Sequence, residues 1–347
     1  MTVRQMTDGD YINHPTYFLQ SSFTPDGRRI LFTSYRTGLP QLFSVGFPDG
    51  ETTQLTWGAP IHPYSPAIRN DQVFFVRGGE IWRYHLKTAT EDRIAAFDGQ
   101  LGEVSPDATG DWLVAAIKCP AGTGLVCGRS NGSDWHFIPF PRTVIHPQFH
   151  PLEPEWIEFA GDPAPRMYRV RRDGSGLECL YEHGNDEFVV HETFLGHTGD
   201  LVFTVWPYKL CRMDWTTRQI RTIADFNADF KAWHITPNRA GTQILCDTNH
   251  PDTGIWLIDA ATGDRRFVCL SESGNQGTQW RKSTYALKED FLAAQKGNLS
   301  WMETPTDSVY GPQWTHPHPA FSHDERHITF TSDKTGTPQV YVCDLVS

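Results

Sequence analysis

From Phe23 to Phe43 the chain reads as a strand, a tight Thr-Pro-Asp-Gly turn, an alternating strand, a Gly/Pro loop and a further strand. Period-two alternation closed by turn residues is the pattern of an antiparallel meander. The same pattern returns from Phe321 to Tyr341, and the two segments align without a gap. Weaker copies lie between them. Their inner strands are expected to begin near Tyr64, Gly102, His146, His191 and His234, with turns at Ala108–Asp111, Gly196–Asp200 and Asn238–Gly241. Third strands are expected at Glu80–Tyr84, Arg166–Val170, Lys209–Met213 and Gly254–Ile258.

With the outer copies these make seven units of roughly 40–50 residues, the period of propeller blades. The expected fold is therefore all-β, a seven-bladed β-propeller forming a single domain over residues 1–347. The stretch Gly122–Pro141 is the least regular. Ser271–Tyr310 reads as an insertion, within which Tyr285–Lys296 has the pattern of a short helix. The last blade stops after its third strand, while Val3–Thr7 resembles the outer strand Thr53–Thr56 of the first. The N-terminal strand is thus expected to complete the C-terminal blade and close the ring, removing open sheet edges.

Composition agrees with this fold: aromatic residues are 13%, Gly and Pro number 29 and 24, and charged residues are only 20%. A net charge of −11 without any basic stripe speaks against a nucleic-acid partner. Seven scattered cysteines without CxxC spacing argue against a disulfide framework or a cysteine zinc site and fit a reducing compartment. No apolar leader opens the chain and no run reaches membrane-spanning length, so a soluble, cytoplasmic protein is expected.

Chemistry concentrates where inner strands begin, because all blades bring that end to the axis. His62, His146, His191, His234, His316 and His318 fall at or near such starts. In Gln313-Trp-Thr-His316-Pro-His318, two histidines at i and i+2 of an extended segment point to one side, and imidazole is the commonest metal ligand. His234 from the neighbouring blade supplies a third and Gln313 an amide oxygen, a set suited to Mn²⁺, Zn²⁺, Ni²⁺ or Fe²⁺. His62 and His146 read as lining residues. His191 is a candidate general base, and Arg166 a candidate clamp for a carboxylate. Arg36, Lys209, His250 and Lys334 occupy equivalent loops from which they can hold a sugar acid. Gly-x-Ser-x-Gly, Walker A and dinucleotide-binding signatures are absent.

Asn13–Phe18 with Phe23–Gly27, His146–Pro151, His191–Phe194 and Gln313–Ser322 together make the chain resemble the oligogalacturonate lyases and, more distantly, TolB-type propellers. The resemblance runs over most of the length. It implies a divalent metal, most often Mn²⁺, held by Gln313, His234, His316 and His318, with His250 as the competing ligand. It also implies His191 as base and Arg166 as essential cation, with Arg169 and Arg171 as competitors. The sequence departs from the family at Phe194, where tryptophan is usual, at Pro147, where cysteine is usual, and in the extra stretch before Gln313. The implied activity is metal-assisted β-elimination of short oligogalacturonides to a 4,5-unsaturated product. A different uronide, an epimerisation through the same proton abstraction, and a non-catalytic binding propeller are the alternatives.

Overall fold

A computed structural model describes residues 1–162, 164–184, 186–249, 251–274 and 313–345. Its strands form seven four-stranded antiparallel sheets, six of them meanders of consecutive strands, arranged as the blades of a propeller. The inner strands are Asn13–Pro15, Ala67–Arg69, Gln100–Pro106, Thr143–Phe149, Phe188–Phe194, Ala232–Pro237 and Ala320–Phe321, in blades 1 to 7. Several start a few residues away from the sequence-based expectation. The expected helix at 285–296 and most of the expected insertion lie outside the described residues.

Closure takes the expected form. Val3–Gln5 pairs with Gln339–Asp344 as the outer strand of blade 7, with Val3 opposite Cys343. One hydrogen-bond device recurs in blades 1 and 7. Gln41, after Pro40, accepts from Thr56 Oγ1 at 2.7 Å, while Thr56 Oγ1 accepts from Leu42 N at 2.9 Å. Gln339, after Pro338, accepts from Thr7 Oγ1 at 2.7 Å, and Thr7 Oγ1 accepts from Val340 N at 2.9 Å. In both blades a Pro-Gln step and a distant Thr therefore mark where the outer strand is pinned to the third. Arg4 adds a bidentate pair to Asp344 at 2.8 and 2.9 Å.

The core is divided among seven apolar clusters, one in each seam between neighbouring blades. Both faces of a strand are buried this way: Ile30 and Phe32 pack toward blade 7, and Leu31 toward blade 2. Second strands accordingly read as continuous apolar runs rather than clean alternations.

Blade 3 is regular, contrary to the sequence-based expectation for Gly122–Pro141. Gly122–Arg129 and His136–Pro139 are ordinary third and outer strands. The glycines that made it look broken give room to neighbours. A Cβ on Gly124 would lie 2.2 Å from the Ile138 carbonyl oxygen, and one on Gly128 would lie 2.3 Å from the Trp135 ring.

Candidate metal centre and active site

Four consecutive inner strands, in blades 3 to 6, carry a bulge at the same height. Residues 101 to 104, 145 to 148, 190 to 193 and 232 to 235 take three steps against two on the second strand. A bulge adds one residue and re-aims its side chain, and such irregularities collect near functional sites. Here the extra positions include His146, His191 and His234. His146 and His191 have φ of 53° and 58°, and His318 in blade 7 has 46°. A left-handed non-glycine residue costs on the order of 1–3 kcal/mol and persists only where its surroundings enforce it. Three such histidines around one axis mark this end of the channel as its specialised part.

His234, His316 and His318 meet there. Each offers one ring nitrogen, and these atoms all lie within 4.8 Å of one another. All three are buried, at 2%, 0% and 3% exposure. Asp247, in the second strand of blade 6, ties the His234 ring and the His318 backbone together. Its Oδ1 accepts from the His234 amide at 2.8 Å, and its Oδ2 faces His234 Nδ1 at 2.7 Å and accepts from the His318 amide at 3.3 Å. A proton held on Nδ1 leaves the His234 Nε2 lone pair for the cluster, the usual carboxylate support of a metal-ligating histidine. His318 Nε2 is buried without a hydrogen bond among the described residues. A satisfied core histidine leaves no such orphan.

The donor set fits a divalent cation. Two nitrogens at about 2.1 Å from one ion lie within about 4.2 Å of each other, so small side-chain adjustments bring the three into range. Burial holds the His234 and His318 rings well below their ordinary pKa, mainly through desolvation, and therefore in the neutral state that ligation needs. The same desolvation pushes Asp247 up to about 7.

Beside this cluster lies a cavity of about 30 Å³, the size of a single water. It is lined by His146, Arg166, His191, His234, Gln313 and Tyr17, among others. His191 is 6% exposed, and its ring centre lies 4.6 Å from that of His234 and 4.5 Å from that of Trp233. Desolvation first, then His234, His146 and Arg166, lower its pKa well below the ordinary value. Its Nδ1 has no hydrogen bond among the described residues. Tyr17 Oη bonds His146 Nε2 at 3.0 Å.

Arg166 reaches this cavity, whereas its competitors do not line it. Arg169 pairs with Glu178 and lies over Trp156, and Arg171 also lies over Trp156. Arg166 is already engaged: Nε donates to Glu192 at 2.9 Å and Nη1 to Asp162. Sequence reasoning did not find these two acids, nor Asp247, Tyr17 or Trp233. The readable signal for Asp247 was a lone carboxylate directly after the apolar run Ile244–Cys246 in a predicted strand.

The weaker candidates lie apart from this cavity. The Arg36 guanidinium stacks on Tyr11 and Phe43, at 4.8 and 4.9 Å from the ring centres. Lys334 pairs with Glu272 at 2.9 Å, and Lys209 opens the third strand of blade 5 outside the lining. His62 is also absent from the lining. His250 lies outside the described residues.

No family model matches the chain. It is 24% identical over 392 aligned positions to an oligogalacturonate lyase of Dickeya dadantii (strain 3937), covering 98% of this chain and 92% of that protein. It is 23% identical to an oligogalacturonide lyase of Pectobacterium atrosepticum, with the same coverage. The solved structure of an oligogalacturonate lyase in complex with manganese superposes with a TM-score of 0.81, at 19% identity, covering 99% of this chain and 93% of that one. Propellers of the TolB type match more distantly. In sequence over nearly its full length, and in its seven-bladed fold, the chain is similar to the oligogalacturonate lyases.

Proposed function

We propose that this protein is a lyase that cleaves short oligogalacturonides by β-elimination, with His234, His316, His318 and Gln313 holding a divalent metal. The observation that carries this reading is the cluster of three buried histidines, of which His234 is held by Asp247 and lines one cavity with His191. The manganese of the solved relative makes Mn²⁺ the ion we assign. A divalent cation there supplies Lewis-acid polarisation of a uronate carboxylate, which acidifies the adjacent C5 proton.

The chain's own groups supply the rest. His191, kept neutral by burial, is the base that takes the C5 proton; the C4–O bond then breaks to leave the 4,5-unsaturated sugar, and the departing oxygen carries off the bond pair and takes a proton from water to become the hydroxyl of the second product. Arg166 presents its guanidinium to the carboxylate. Glu192 and Asp162 hold its guanidinium in place, and two carboxylates on one guanidinium leave no net positive charge, so its role is to orient the substrate by hydrogen bonds rather than to neutralise it. Walls of Tyr17, Trp233 and Val190 limit water around the reacting carbon.

We assign one propeller domain to residues 1–347 and a cytoplasmic location. The location rests on seven thiols that are all free, as in a reducing compartment.

The test is His316→Ala, read by metal analysis and by the rate of unsaturated product formation from trigalacturonate. Loss of both supports the reading. Full activity with unchanged metal content refutes it.

A further inference from the structure

The opposite mouth of the central channel holds a second, larger cavity of about 490 Å³, at the ends of the inner strands. Phe18, fully buried, separates the two ends. Its ring lies 5.4 Å from His191 and 5.1 Å from His234 on one side, and it lines the second cavity on the other. Nothing in the proposed reaction uses this mouth.

Its chemistry is unlike the rest of the molecule. The chain carries a net charge of −11, yet Arg69, Arg239, His197 and His323, from blades 2, 6, 5 and 7, all line this cavity. Arg69 and Arg239 make no salt bridge among the described residues, and the buried Nε of Arg69 has no hydrogen bond there. Desolvation first, and then the two guanidiniums, lower the pKa of His197 and His323, so these rings are neutral hydrogen-bonding groups and the positive charge of the cavity is that of Arg69 and Arg239. Two guanidiniums from different blades lining one cavity form an electrostatic site for an anion. Glu325 is the one acid lining the cavity among the described residues. Its oxygens are taken by the Arg239 amide at 2.6 Å and Asn238 Nδ2 at 3.2 Å. Asp107, the acid coupled to Arg69, accepts from the amides of Gly110, Asp111 and Trp112.

Size and lining narrow the ligand. The volume is that of a small-molecule pocket and far exceeds a bare ion. Phe149, Phe194 and Phe321 offer apolar faces, and the imidazoles of His197 and His323 offer polar groups, a mixture that suits the two sides of a sugar ring. We propose that this mouth is a second binding site for an anionic monosaccharide, either a sugar acid or a sugar phosphate, with Arg69 and Arg239 as its charge-recognising residues.

The experiment is calorimetric titration of the metal-loaded protein with galacturonate, with glucose 6-phosphate and with neutral galactose. One equivalent of an anionic sugar is expected to bind, and the tighter of the two names the source. Galactose is expected not to bind. Binding is expected to persist in His316→Ala and to weaken about tenfold or more in Arg69→Gln/Arg239→Gln. If the double variant does not fold, Arg239→Gln alone, at an exposed side chain, serves, with lyase activity as the control. Unchanged affinity in the arginine variants, equal binding of galactose, loss of binding in His316→Ala, or binding of neither anion overturns the proposal.

Discussion

Replacing Asp247 by asparagine preserves volume but not hydrogen-bond logic. The carboxylate accepts from two backbone amides, His234 N and His318 N, which are obligatory donors, and faces His234 Nδ1 as a third. If the asparagine oxygen takes the Oδ1 place, its NH₂ meets His234 Nδ1 and the His318 amide. His234 must then accept at Nδ1 and carry its proton on Nε2, the nitrogen that faces the cluster. If the amide is flipped, the NH₂ opposes the His234 backbone N–H. Either orientation removes one ligand lone pair or leaves buried donors face to face, at about 1–3 kcal/mol per unmet group. Loss of a supporting carboxylate typically weakens metal binding about 10–100-fold, and the wrong tautomer places Asp247→Asn at the upper end. Competition with a chelator of known Mn²⁺ affinity measures this directly, and the metal-free variant's urea unfolding midpoint reports structural damage separately. Wild-type Mn²⁺ affinity in a folded Asp247→Asn protein would refute the argument that Asp247 sets the His234 tautomer.

Other consequences are equally open to measurement. His191→Ala is expected to retain its metal while losing about 10²–10⁴-fold in kcat; metal loss together with activity would instead make His191 a structural neighbour of the cluster. Thr7→Val removes a buried hydroxyl that both donates to Gln339 and accepts from Val340 N, and Thr56→Val removes its counterpart in blade 1. Each is expected to cost about 1–3 kcal/mol by urea unfolding, and a neutral Thr7→Val would mean the closing strand is not held this way. His14, 1% exposed, has its pKa lowered by burial to about 4. The unfolded chain takes up that proton from about pH 6.5 downward, so stability is full above 6.5 and falls toward pH 4, by at most about 3 kcal/mol. His14→Gln should shrink the difference in unfolding free energy between about pH 7 and pH 4.5; an unchanged difference contradicts the assignment.

Blades 1 and 7 were legible in the sequence because the same devices recur there as words: Thr-Pro-Asp-Gly against Ser-His-Asp-Glu for the turn, and Pro-Gln with a distant Thr for the outer strand. Blade 3 was not, because Gly124 and Gly128 signal a break locally yet exist to admit Ile138 and Trp135 across the sheet. Part of the histidine cluster was readable from the i, i+2 spacing of His316 and His318. The bulges that turn His146, His191 and His234 toward the axis leave no local trace, since a bulge is defined by its partner strand. Asp247, Glu192 and Asp162 escaped for a related reason. Their importance lies in whom they face in space, and spacing along the chain says nothing of that.

The most direct measurement follows the ultraviolet absorbance band of the 4,5-unsaturated uronate while purified, Mn²⁺-loaded protein acts on digalacturonate, with a chelator-treated sample alongside. A rising signal that chelation abolishes and added Mn²⁺ restores is the predicted result. A flat trace with fully loaded protein, or a rise that chelation leaves untouched, would contradict metal-dependent elimination at the His234, His316 and His318 centre.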